Sequence, residues 1–180
     1  WAGFLANFQD VVASAREQAQ RLSQQSGQRP YDAMVDRFEP DMTCARLDPL
    51  FADLRGWLPG LVQQVQAQQR DKPVLQPEGP FPIGAQRQLC QQVMQWLGFD
   101  FNAGRLDISA HPFAGGVPED VRLTTRYDTT EFISSLLGAI HETGHGRYEQ
   151  GRPRAWLGQP VSLARSMAMH ESQSLSFEMQ

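Results

Sequence analysis

Between Asp71 and Gly84 the chain carries four prolines, Pro73, Pro77, Pro80 and Pro82, and two glycines. Proline lacks the amide hydrogen that helix interiors and central strands use, so this stretch can hold neither. It predicts a surface loop or linker, residues 71–84. An N-terminal helical segment, residues 1–70, then precedes it and a core, residues 85–180, follows it.

The N-terminal segment reads as helix. Phe4, Phe8, Val11, Val12, Ala15 and Leu22 recur at helical spacing up to Gly27, and Pro30 lies just beyond. A short helix is expected over Tyr31–Phe38, closed by Pro40. Another starts near Thr43 and carries Leu47, Leu50, Phe51, Leu54 and Leu58; Pro59 and Gly60 predict a kink or short break before it resumes over Leu61–Gln69. In the core, Gln86–Leu97 is helical, with Leu89, Val93 and Trp96 as its apolar face. Leu106–Ala110 and Val121–Tyr127 alternate like strands, and Gly115–Gly116–Val117–Pro118 reads as the turn joining them into an antiparallel hairpin. Asp128 with Glu131 makes a capping pattern for a helix running to about Glu149, stopped by Gly151 and Pro153. A last helix is expected from about Pro160 onward. The fold class is therefore mainly α: a helical-bundle-like core with a small antiparallel hairpin or sheet.

Composition narrows the function. Sixteen basic against twenty acidic residues leave a net charge of −4, which argues against nucleic acid as a partner. No apolar run reaches the roughly 18 residues that span a bilayer, so no membrane partner is expected. Cys44 and Cys90 show no paired metal spacing and fall in helical stretches; they read as buried free thiols of a cytoplasmic protein. The chain opens on Trp1 without a signal-peptide pattern and closes on Gln180 within a helical pattern, as expected of a piece cut from a longer protein.

The chemistry centres on His141-Glu142-Thr143-Gly144-His145. On a helix, residues four apart lie one turn apart on the same face, so both imidazoles can reach one ion. Glu142 stands about 100° around the helix, placed to act as a base on water beside that ion. The motif continues the apolar set Phe132, Ile133, Leu136, Leu137 and Ile140, which predicts a largely buried helix with both histidines inside. A catalytic ion usually takes a third protein ligand. Glu171 shares a helical face with Ala164, Met167, Ala168 and Leu175, and a carboxylate on an apolar stripe needs a partner, which a metal supplies. His170 is the rival, about 100° away. Glu171 could instead pair with Arg122 or Arg126, the histidines could be satisfied core residues, and Arg122 alone reads as the solvent face of a strand. His111, taken alone, reads as structural.

Four ordered segments resemble the carboxypeptidase Taq (M32) family: His111-Pro112-Phe113, Asp120-Val121-Arg122-Leu123-Thr124, His141 to His145, and His170-Glu171-Ser172-Gln173. Flanking Thr125-Arg126-Tyr127 and Tyr148-Glu149-Gln150-Gly151 agree. The resemblance implies a nearly all-helical dimer that releases C-terminal residues from peptides. It implies His141, His145 and Glu171 as ligands of one divalent metal ion, with Glu142 as general base and acid. Zinc is the first expectation, with cobalt and manganese as alternatives. His111, Asp120, Arg122 and Thr124 are implied to shape the cleft or position substrate. Gly146 stands where the family generally has alanine, and two further family motifs that would follow downstream are not in this chain. A zinc endopeptidase of the same ligand class and a non-catalytic helical assembly module are the rival readings.

Overall fold

The computed structural model describes residues 1–75 and 77–179; Gln76, in the proline-rich stretch, and the terminal Gln180 lie outside the described residues. The chain forms two compact units, Trp1–Leu75 and Gln76–Gln180.

The first unit is helical. Helix α1 spans Ala2–Ser26 and stops at Gly27, whose left-handed conformation (φ 74°) turns its amide onto the Ser23 carbonyl. Helix α2, Pro30–Val35, begins on the proline, where a missing amide hydrogen costs nothing. Helix α3 runs from Cys44 to Gln69. The buried Asp32 of α2 ties the two together: its Oδ1 accepts from the Cys44 amide at 2.8 Å. That amide holds the Asp32 carboxyl below the usual carboxylate range. The expected break at Pro59 does not occur, and α3 passes through both Pro49 and Pro59. Each proline removes one hydrogen bond, a loss that a helix of 26 residues absorbs. Within the unit α3 buries none of its residues, leaving Phe51, Leu58 and Val65 exposed.

The second unit is built around helix α5, Ile133–Gln150. Helix α4, Ile83–Trp96, lies before it, then strands β1, Gly104–Ile108, β2, Phe113–Val117, and β3, Asp120–Thr125. Two 3₁₀ turns, Arg154–Trp156 and Pro160–Ser162, lead from α5 to helix α6, Met167–Glu178. The sheet differs from the expected hairpin. Its order is β1-β3-β2, with β1 parallel and β2 antiparallel to the central β3. Gly115–Val117, read as a turn, is strand instead, and the reversal is the two-residue link Pro118–Glu119. Gly116 tolerates this because its φ of 113° and its crowding against Asp120 suit only a residue without a side chain.

The core gathers Cys90 and Met94 of α4, Phe99, Leu106, Val121, Leu123 and Ala139. The buried face of α4 is therefore Gln86, Cys90 and Met94, not the expected Leu89, Val93 and Trp96; Trp96 is 74% exposed. A buried glutamine hides this face from a hydrophobic pattern, yet it is fully engaged. Gln86 Nε2 donates to the carbonyls of Phe81 (2.8 Å) and Asp128 (2.7 Å), while its Oε1 accepts from the Ser135 hydroxyl at 2.9 Å. It thereby holds the lead-in to α4 against the start of α5.

Helix α5 also buries a different face from the one expected. Ile133 and Leu137 are exposed and Leu136 packs partly buried against the core, whereas Ser135, Ala139, Glu142, Thr143, Gly144 and Gly146 are buried. Small residues let neighbours come close on both sides. A Cβ at Gly146 would lie 2.8 Å from the Phe99 ring, and one at Gly144 would lie 2.5 Å from Ser174 Cα and 2.6 Å from the Gln173 carbonyl oxygen of α6. The expected cap is split. Asp128 Oδ1 accepts from the Thr130 amide in the preceding turn, and Glu131 accepts from the Ser134 amide at the helix start.

Two outcomes follow. Gly144→Ala, which in an open helix gains roughly 1 kcal/mol of propensity, should lower stability by about 1–3 kcal/mol because α6 backbone must retreat. A urea-unfolding midpoint that stays or rises would contradict the close approach. Gln86→Leu should cost about 2 kcal/mol by orphaning the Phe81 and Asp128 carbonyls, read as a lowered melting temperature.

Candidate metal centre

His141 and His145 sit one turn apart on α5 with their rings nearly perpendicular (78°) and centroids 5.1 Å apart. Both are half-buried, not fully inside as expected. Glu171 arrives from α6. Its Oε1 lies 3.6 Å from His141 Nε2 and its Oε2 lies 3.4 Å from His145 Nε2. One donor atom from each of the three lies within 4.8 Å of the others. Two donors each about 2.1 Å from one ion at a tetrahedral angle stand roughly 3.4 Å apart, so the donor spacing and chemistry fit a divalent cation.

The position of α6 depends on its start. Ser166, not the Pro160 region, is the N-cap, its hydroxyl accepting from the Met169 amide at 2.9 Å. Ala164 thus precedes the helix. Nor does Glu171 stand on a buried apolar stripe, since its side chain is 51% exposed and Met167 beside it is also exposed. What brings Glu171 to the histidines is the contact of Gln173 and Ser174 with Gly144.

Glu142 is 6% exposed and lies on the neighbouring face of α5. Burial pushes its carboxyl above the ordinary value, nearby His141 draws it partly back, and Glu171 adds to the rise. Burial pushes the His145 imidazole below its ordinary value, with His170 and His141 acting in the same direction. Phe113, Ala114, Glu142, His145, Glu149, Ala164, Met167, His170 and Glu171 line an open cleft of about 460 Å³.

Of the other residues singled out in the sequence, Thr124 is tied to this cleft through Phe113. Thr124 is buried, and its hydroxyl accepts from the Phe113 amide (3.0 Å) and donates to the His111 carbonyl (3.2 Å). It fixes the segment whose Phe113 forms a cleft wall. His111 itself is exposed. Asp120 and Arg122, on the same strand face, pair with each other at 2.7 Å and are half-exposed. That pairing holds the Asp120 carboxyl below its usual range. His111, Asp120, Arg122 and Arg126 are absent from the cleft lining.

Several residues here escaped the sequence reading. His141 Nδ1 lies 2.9 Å from Glu178 Oε2. His145 Nδ1 lies 2.6 Å from His170 Nδ1, and His170 Nε2 lies 3.0 Å from Glu149 Oε1. The second oxygen of Glu149 is 2.7 Å from Arg152 Nη1. Helical spacing carried the signal: Glu149 is four residues after His145, and Glu178 is seven after Glu171. Gln150, next along, pins the loop before β1, accepting from the Asp100 amide and donating to the Asp100 carbonyl.

A family model described as carboxypeptidase Taq (M32) metallopeptidase matches residues 1–180. Thermostable carboxypeptidase 1 of Thermus thermophilus is 39% identical, over 99% of this chain and 36% of that protein. Carboxypeptidase 1 of Bacillus subtilis is 44% identical, over 84% of this chain and 30% of that protein. The solved metallocarboxypeptidase 1 of Trypanosoma cruzi superposes with a TM-score of 0.91 at 50% identity, over 99% of this chain and 36% of that one. The chain thus spans well under half the length of these relatives. With a family model matched from end to end and these relatives beside it, the chain belongs to the carboxypeptidase Taq (M32) metallopeptidase family.

Proposed function

We propose that this chain carries the metal centre and general base of a metallocarboxypeptidase that releases C-terminal residues from peptides. The observation that supports it best is the meeting of His141 Nε2, His145 Nε2 and the Glu171 carboxylate beside the buried Glu142 at the edge of one open cleft. His141, His145 and Glu171 would hold one divalent ion, and two imidazoles with one carboxylate suit zinc. When bound, such an ion supplies Lewis acidity toward a carbonyl oxygen and toward water.

The chain's own groups do the rest. The Glu142 carboxyl, raised by its burial, is suited to take a proton from water and return it to the departing amine. Phe113 and Met167 offer apolar walls to a peptide side chain. The step from metallopeptidase to carboxypeptidase rests on the names of the relatives, since Arg122 and Arg126 stand outside the cleft. The two free cysteines fit a reducing compartment, and we place the protein in the cytoplasm, as a homodimer.

Plasma mass spectrometry of the purified chain after zinc loading should find about one equivalent of metal, reduced to background in Glu171→Ala. Glu142→Gln should keep the metal and lower hydrolysis of an N-blocked dipeptide by roughly 10²-fold or more. A chain that takes up no zinc, or a Glu142→Gln variant as active as its parent, would sink the reading.

A further inference from the structure

The four side chains His145, His170, Glu149 and Arg152 form one continuous line behind the metal centre, and the line has a direction. Arg152 only donates and a carboxylate only accepts. Glu149 Oε2 takes the guanidinium at 2.7 Å, and both side chains are largely buried, at 12% and 17% exposure. Glu149 Oε1 then faces His170 Nε2 at 3.0 Å, so that nitrogen must carry the hydrogen. With one hydrogen on each imidazole, the state that alkaline pH imposes, His170 keeps a lone pair on Nδ1, which lies 2.6 Å from His145 Nδ1. One of those two nitrogens has to donate, and only His145 Nδ1 can. His145 Nε2 is thereby bare, on the side that faces Glu171 at 3.4 Å.

We infer that Glu149, oriented by Arg152, sets the tautomer of His145 through His170 and so presents an unprotonated Nε2 to the metal centre. The inference rests on the metal-centre reading for its purpose, but not for its hydrogen bonds. Glu178 does for His141 in one step what Glu149 does for His145 in two, since its Oε2 accepts from His141 Nδ1 at 2.9 Å. Glu149, His170, Arg152 and Glu178 are positioning residues that act through the histidines. The Tyr148 ring, 4.7 Å from that of His170, helps hold the intermediate imidazole in line.

The arrangement makes Glu149→Gln a directional test. Arg152 still needs an acceptor, so the amide oxygen turns toward it and the amide NH₂ faces His170 Nε2. His170 must then carry its hydrogen on Nδ1 and donate to His145 Nδ1, which moves the His145 hydrogen to Nε2. The chain has four histidines, so long-range ¹H–¹⁵N spectra of the metal-free protein resolve each tautomer at alkaline pH. The expected result is Nδ1–H on His145 and Nε2–H on His170 in the unmodified chain, both inverted in Glu149→Gln. Zinc affinity, measured by chelator competition, should fall about 10- to 100-fold in the variant. An Nε2–H tautomer on His145 in the unmodified chain, or tautomers that Glu149→Gln leaves unchanged, would overturn the inference. Expected tautomers in a chain that takes up no zinc would support the hydrogen-bond relay and remove the metal reading.

Discussion

The close approach of α5 and α6 at Gly144 is the contact on which the site depends. Two helices meet here with backbone against a glycine Cα, leaving no room for a Cβ. Side chains on either helix can then bridge a short gap, and Glu171 of α6 comes within 3.6 Å of two imidazoles on α5. A wider separation would leave the carboxylate short of both. The glycine lies inside the motif, between Glu142 and His145, so the segment that supplies two donors also supplies the space through which the third arrives.

Around that contact the unit is organised to hold α5 still. Gln86 fastens its start to the lead-in of α4, and the Thr125 hydroxyl donates to the Ser135 carbonyl at 3.0 Å. Phe99 and Leu123 pack against Gly146 at the other end of the motif. Polar groups buried with all partners satisfied fix one arrangement more sharply than apolar contact alone. The helix that bears the histidines is thus gripped along its length by small and polar residues. Of its larger apolar side chains, Ile133 and Leu137 face outward while Leu136 packs against the core.

That inversion explains what could be read from the chain and what could not. The pair His141 and His145 was legible because a spacing of four on a helix is a geometric statement in itself. Glu171 was reached by an argument whose premise fails, since it is no buried carboxylate on an apolar stripe; the ordered motifs of the family pointed to it independently. The buried faces of α4 and α5 were misread for a common reason: hydrophobic periodicity cannot register a glutamine, a serine or a glycine as core. The mixed sheet was hidden in the same way, because Gly115 and Gly116 look like a turn until a partner strand is known. The relay behind His145 is legible only in part: Glu149 stands four residues after His145, but the link through His170 needs the contact between α5 and α6.

Helix α6 has twelve residues, and three of them touch the histidines of α5: His170, Glu171 and Glu178. The Glu171 carboxylate and the contacts of His170 and Glu178 with the two imidazoles therefore travel together on one short segment. With an ion held there, docking of α6 and occupancy of the site would be linked, each stabilising the other by the same free energy. A helix lifted away would take with it the carboxylate and one hydrogen-bond partner of each imidazole at once.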